Sequence, residues 1–329
     1  MAERIPKLSV IIPVYNDEAN MVRRLRNAAE AFAEDAEIIC VDDGSTDSSG
    51  CICDEYAAKD KRILVIHQKN AGAANAKNVG LDIATGELIT FIDSDDFVDK
   101  TWILDMVEEL HRTSVDMVEC AFDMVYKNRT DNVKEFLDGN GVFSTEQYLA
   151  HYLDKWTNSL FWNKLFKRSL TEEVRFKRER RCIDDEFYTY KVISNAETIS
   201  RIDKPLYHYR QRGSSAVRTK KNQLQITDDA LEVLIERYEW MKERFPTLRK
   251  IYLVHDIDFL LYFDKQGTYD EKLVKKYRKI VWYYLKECFG FVPDKIMFVN
   301  IIRLLKNWPS ICDGTEENVV RKSDGCYFE

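Results

Sequence analysis

At 329 residues, with 45% apolar and 32% charged residues, the chain suffices for one large α/β domain with an appendage, or for two modest domains, and is too apolar to be disordered. A formal net charge of −7 argues against a dedicated nucleic-acid binder, which needs surplus Lys and Arg against phosphate. Eight cysteines, mostly in apolar runs, the spacing "CICD" (CxC, not CxxC) at 51–54 and no signal-peptide pattern at the start indicate reduced structural thiols in a cytoplasmic protein.

In chain order, "KLSVIIPVY" (7–15) reads as a buried strand and 17–33 as a helix with apolar residues at helical spacing. "AEIICVDD" (36–43) is a second strand, followed by a helix from about Asp47 as its N-cap. "RILVIHQ" (62–68) and "ELITFID" (87–93) are further strands, and 71–84 and 100–112 further helices. Strand and helix alternating at this rhythm predict a mostly parallel sheet with helices on both faces, an α/β fold. Beyond 113 the expected elements are a strand over 115–127, a turn at 138–141, helices over 144–154 and 184–195, and a strand near 197–203. From about 220 the chain reads as helices over 221–244, 250–264, 270–288 and 294–306, punctuated by Pro246, Gly267 and Pro293, with a polar tail after them. The domains expected are 1–215, catalytic in type, and 216–329, helical.

Open parallel sheets bind ligands outside the carboxyl ends of their strands. Here those ends carry Pro13 to Asn16, Asp42 to Ser45, Lys69 to Gly72 and Asp93 to Asp96. Neither G-x-G-x-x-G nor GxxxxGK[ST] occurs, so a phosphate ligand needs its charge neutralised otherwise. A Mg²⁺ or Mn²⁺ ion held by one or two carboxylates and completed by a diphosphate does this, and gives "DSDD" (93–96) a purpose.

The blocks "SVIIPVYN", "VDDGSTDSS" and "NAGAANAKNVGLDIATGELITFIDSDD" together resemble family 2 glycosyltransferases of the GT-A (nucleotide-diphospho-sugar transferase) fold over residues 8–127. "WNKLFKR" (162–168), "DDEFYTYKV" (184–192) and "PLYHYRQRGSS" (205–215) resemble later blocks of bacterial polysaccharide-synthesising members. The resemblance implies a nucleotide-sugar donor, usually a UDP-sugar, transferred with inversion to a glycan or lipid-linked oligosaccharide acceptor. It places Pro13, Tyr15 and Asn16 at the base, Asp42 and Asp43 on the uracil or ribose, and Asn70, Gly72, Lys77, Asn78, Asp93 and Ser94 along the donor. Asp95 and Asp93 become metal ligands for Mn²⁺ or Mg²⁺, with Asp96 in reserve, and Asp185 the catalytic base. Two departures stand out: the family's A-R-N is Ala76-Lys77-Asn78, losing a bidentate fork, and its Glu-Asp pair is Asp184-Asp185.

Several alternatives stay open. Asp184-Asp185 either cap a helix or serve the reaction, the helix dipole then keeping Asp185 ionised. His208 and Arg210 either reach the diphosphate or form a solvated strand tip. Trp162, Asn163, Lys164 and Asp184 line the acceptor side, or the first three merely start a helix. The basic run 164–181 and the amphipathic 290–308 either contact the inner face of the plasma membrane peripherally or are ordinary surface, no apolar run reaching the roughly 20 residues of a span. The aromatic stretch 281–291 packs in the core or in a homodimer. Rival functions are a non-catalytic nucleotide or sugar binder on the same fold and a nucleotidyltransferase.

Overall fold

The computed structural model describes residues 8–21, 25, 36–93, 96–133, 140–177, 183–211, 220–266, 270–288 and 299–303, with backbone only at 220–223 and 262–266. They fall into two compact units, one of residues 1–149 and 157–213, the other of 150–156 and 214–329. Grouping 150–156 with the second unit is not something chain order suggests.

In the first unit, β1 (Leu8–Val14) is buried at every position, as a strand covered on both faces must be. β2 (Ala36–Asp42) runs parallel to it, and β3 (Ile63–His67) parallel to β2. α1 (Ser49–Ala57) starts after Ser48, not Asp47; Asp47 instead accepts the Ser49 amide through its side chain at 2.9 Å. α2 (Ala73–Ile83) packs so closely on β1 that a Cβ at Gly80 would lie 2.4 Å from Ile11 Cγ2. β4 (Leu88–Phe91) then lies parallel to β1 on its free side. The alternating pattern of the first third is thus what the backbone forms. The helix expected over 17–33 is seen at 18–21 and 25; the rest lies outside the described residues.

The second half of this unit is less regular. β5 (Phe97–Val98), α3 (Trp102–Thr113), β6 (Met117–Val125), β7 (Thr130–Val133), β8 (Gly141–Ser144), α4 (Thr145–Ala150), β9 (Lys164–Lys167), α5 (Asp184–Ile193) and β10 (Thr198–Arg210) follow. Among the described residues the strands join one ten-stranded sheet ordered β3-β2-β1-β4-β9-β6-β10-β5, with β7 on β6 and β8 on β10. β9 is antiparallel between β4 and β6, so the sheet is mixed, with parallel pairing at β3-β2-β1-β4 and again between β6 and β10. The reading of 162–164 as a helix start is corrected: a strand only four residues long, flanked by basic residues, has no alternation to betray it. β10 runs to Arg210, past the expected 203, through register shifts at Pro205.

In the second unit, α6 (Lys220–Arg244), α7 (Arg249–Gln266) and α8 (Glu271–Cys288) are helical, with a 3₁₀ turn Pro246–Leu248 between the first two. Tyr252, Leu253, Tyr277 and Tyr284 are buried among them. The Tyr284 hydroxyl donates to buried Asp256 at 2.7 Å. Of 294–306, residues 299–303 are described and helical through 303; the tail lies outside the described residues. No described helix is long and apolar enough to cross a membrane. Cys40, Cys51, Cys53, Cys120 and Cys288 are free thiols.

Candidate active site

The loops beyond β1, β2 and β4 are tied together by their own polar side chains. Pro13 is buried in β1 at a position beyond the end of β4, where its missing N–H costs no ladder bond. Tyr15 follows, 49% exposed. Asn16 sits in the left-handed region (φ 48°) and accepts the Thr46 amide at 2.7 Å, while its own amide reaches Ser45 Oγ at 3.1 Å. Asp42 accepts the Ser45 amide (3.0 Å) and faces His67 Nδ1 (2.9 Å). Burial works to raise the Asp42 pKa, but the Ser45 and His67 hydrogen bonds overcome it and hold it below the usual range.

Asp43, only 3% exposed, is the organiser of the third loop. It accepts the side chain of Gln68 (2.6 Å) and the amides of Ala71 and Gly72 (2.8 Å each). Gly72 has φ 92° at the start of α2, a conformation L residues avoid, and Asn70 is exposed beside it. Asp43 thus shapes the loop that leads into α2.

A second group gathers around Lys77, which is buried in α2. Its ammonium donates to Asp184 Oδ2 at 2.6 Å and lies 4.2 Å and 4.7 Å from the Phe161 and Phe176 ring centres. Burial disfavours its charge, yet Asp184, Asp93 and Asp185 more than offset this, and the Lys77 pKa is raised. That charge field joins Asp93, half-buried beyond β4, to the two acids opening α5. Asp185 is half-buried, with its carboxylate on the Glu186 amide at 2.9 Å. Desolvation first, then the like charges of Asp184 and Glu186, push its pKa well above the usual range. The expectation that the helix dipole keeps Asp185 ionised is therefore corrected, because desolvation, together with the two carboxylates beside it, outweighs a half-charge at a helix end.

Several expected site residues have other work. Asn78 is 2% exposed, and its amide both donates to the Phe176 carbonyl and accepts the Phe176 amide, each at 2.8 Å. It straps 176 to α2 and does not face a donor. Asp96, 1% exposed, accepts the Tyr207 hydroxyl (2.9 Å) and the Arg210 amide (2.8 Å), which removes it from a reserve ligand role. His208 stacks on Phe97 and faces Asp123 at 3.3 Å; the Arg210 guanidinium donates to Asn20 at 2.9 Å. Both thus brace neighbouring protein groups.

Trp162, Asn163 and Lys164 are all buried, which corrects their placement on the acceptor side. Trp162 stacks on Tyr207 at 4.1 Å, and Asn163 bonds the Cys120 carbonyl. Lys164 donates to the Leu160 carbonyl (2.6 Å) and pairs with Glu119 (3.6 Å). Burial pushes its pKa down to about 8, partly opposed by Glu119. Asp184, the fourth residue given to that side, is held by Lys77. The described basic residues after Lys164 are engaged in surface ion pairs: Lys167 pairs with Asp116, Arg168 with Glu172 and Arg175 with Asp82, and 178–181 lie outside the described residues.

Tyr207 is the contributor that sequence reasoning missed. Fully buried on β10, its hydroxyl accepts the Asp93 amide (3.1 Å) and donates to Asp96 (2.9 Å), so one side chain pins both ends of the 93–96 stretch. The "YHYR" repeat of aromatic positions was its only signal. Ser94 and Asp95 lie outside the described residues. Among the described residues no three His, Cys, Asp or Glu side chains form a metal cage. A Mg²⁺ or Mn²⁺ ion completed by substrate phosphates needs only one or two carboxylates, and half-buried Asp93 at the sheet edge is of that donor type.

Comparison with known proteins agrees with this arrangement. The profile of "Glycosyl transferase family 2" matches residues 9–175. The chain is 34% identical over 217 residues to the uncharacterized glycosyltransferase EpsJ of Bacillus subtilis, 64% of this chain and 63% of EpsJ. It is 34% identical over 223 residues to glycosyltransferase GlyG of Streptococcus pneumoniae, 65% of this chain and 73% of GlyG. Among solved structures it resembles S. aureus TarS 1–349, in complex with UDP-GlcNAc, at TM-score 0.72 and 20% identity, covering 93% of this chain and 90% of that one. That likeness establishes the fold.

Proposed function

The chain belongs to glycosyl transferase family 2, and from this we propose that it moves a sugar from a UDP-sugar to a glycan or lipid-linked acceptor, with inversion at the anomeric carbon, in cell-surface polysaccharide synthesis. The observation that carries this reading is the convergence of Asp93, Lys77, Asp184 and Asp185 beside a loop organised by Asp43. The UDP-GlcNAc complex of TarS, a protein of the same fold, supports a uridine donor.

In one displacement the acceptor oxygen attacks the anomeric carbon as the bond to the diphosphate breaks, and the hydroxyl proton passes to Asp185. Inverting sugar chemistry asks for such a base on the face opposite the leaving group. A carboxylate whose pKa is raised above the ordinary aspartate value is the stronger base for it once ionised. Lys77 holds Asp184 in place and spreads positive charge over the acids around it. Asp93 and Asp95 would hold Mn²⁺ or Mg²⁺, which supplies Lewis-acid neutralisation of the diphosphate when bound. Catalysis on the cytoplasmic side suits a nucleotide-sugar donor.

Calorimetric titration of UDP, GDP and CDP, with and without Mn²⁺, on the unaltered chain and on Asp95→Asn tests this. The expected result is metal-dependent binding of UDP alone, lost in the variant. Binding of no nucleotide would overturn the reading in favour of a catalytically silent member of the fold.

A further inference from the structure

Helix α8 carries two faces of opposite character. Leu273, Tyr277, Ile280, Val281, Tyr284 and Leu285 are buried in the second unit. Along the other side, Lys272, Lys275, Lys279, Trp282 and Lys286 are all exposed, spaced three, four, three and four residues apart. That spacing puts them on one line parallel to the helix axis, about 21 Å long at 1.5 Å per residue. Trp282, the fourth residue of this line, is 54% exposed, with the Lys286 ammonium 5.7 Å from its ring centre.

Among the described residues the acids nearby neutralise one lysine of the stripe, Lys275. Glu271 pairs with Lys275 at 2.6 Å, at the helix start. Glu287 is turned away to Lys242 and Arg249, and Asp228 and Glu232 face Lys276, off the line. Glu239 is held by Lys242 and the Tyr283 hydroxyl. Lys272 and Lys279 have no carboxylate partner among the described residues. A chain of net charge −7 therefore keeps a straight cationic edge with an aromatic set among its lysines.

We propose that this face of α8 docks the protein on an anionic phospholipid surface. A straight row matches a plane. Lysine stems lie along apolar surface while their ammonium groups reach headgroups, and a Trp ring favours the headgroup level. Lysines, lacking the bidentate fork that selects individual phosphates, suit a diffuse negative field. The overall negative charge disfavours nucleic acid as occupant. The 164–181 run, buried or ion-paired where described, does not compete for this role. The surface does not rest on the transfer reaction, since docking is read with neither donor nor acceptor present.

The test is co-sedimentation of the full chain with vesicles of phosphatidylglycerol or of phosphatidylcholine alone, at low and high salt. Pelleting with phosphatidylglycerol only, released by salt, is expected. Lys272→Gln/Lys279→Gln/Lys286→Gln should weaken it on the order of 100-fold, each lysine near the surface being worth about fivefold. Neutralising Lys59, Lys61 and Lys127, exposed in the other unit, should leave it nearly unchanged. Equal loss in both triple variants, or no pelleting, would overturn the proposal. So would self-association in solution that the α8 variant abolishes, which would assign the face to a second copy of the chain.

Discussion

Tyr207→Phe removes one oxygen and leaves the ring that stacks 4.1 Å from Trp162. What it takes away is the donor to Asp96 Oδ2 and the acceptor of the Asp93 amide. A hydrogen bond to a buried charged group contributes about 1.5–3 kcal/mol, and the amide bond about 1 kcal/mol, so the first unit should lose about 2–4 kcal/mol. Urea unfolding followed by tryptophan fluorescence reads this as a lower midpoint. The donor site should suffer as well, because Asp93 then has to be ordered by the ligand. A fall in UDP affinity of about tenfold with Mn²⁺ present corresponds to about 1.4 kcal/mol of such ordering. A variant with both the original midpoint and the original UDP affinity would refute the view that Tyr207 pins the 93–96 stretch.

Asp185→Asn should lower turnover about 10²–10⁴-fold while UDP binding in calorimetry stays unchanged; turnover near that of the unaltered chain removes Asp185 from the role of base. Because this base acts ionised and its pKa is raised, kcat/KM should climb with pH through a limb above the ordinary aspartate range near 3.9. Asp184→Asn, which removes the like charge beside it, should move that limb to lower pH, and an immobile limb contradicts the assignment. Asp256, buried in the second unit, has its pKa pushed up to about 7 by desolvation, against the charge of Arg237. Its folded form holds a proton that the unfolded chain releases above about 4, so stability is full below that pH and declines through about 7, by up to roughly 4 kcal/mol. Thermal unfolding of the full chain at pH 5 and pH 8 checks the sign, and Asp256→Asn should flatten the dependence.

The parallel half of the sheet was legible because β1, β2 and β4 are continuous apolar runs ending in polar loops, and the helices between them carry their own period. The loop residues at the strand ends were legible for the same reason: chain order alone puts them on one edge. β9 was not, because a four-residue strand takes its conformation from β4 and β6 on either side, partners distant in sequence. The same non-locality hid which acid is held by protein groups. Asp93 and Asp96 look alike in "DSDD", yet only folding brings Tyr207 and the Arg210 amide against Asp96, leaving Asp93 half-buried at the sheet edge. Trp162, Asn163 and Lys164 read as acceptor-side residues or a helix start until the turn into β9 carries them inside, where Lys164 meets Glu119.

The sequence by itself determined the family, the alternating architecture and the set of acids available, since these depend on local period and on motif order. Tertiary structure decided which acid is buried, which is paired and which has its pKa raised. Those properties depend on charges and dielectric contributed by residues tens of positions away: Lys77 and Asp184 are separated by 107 positions and meet at 2.6 Å.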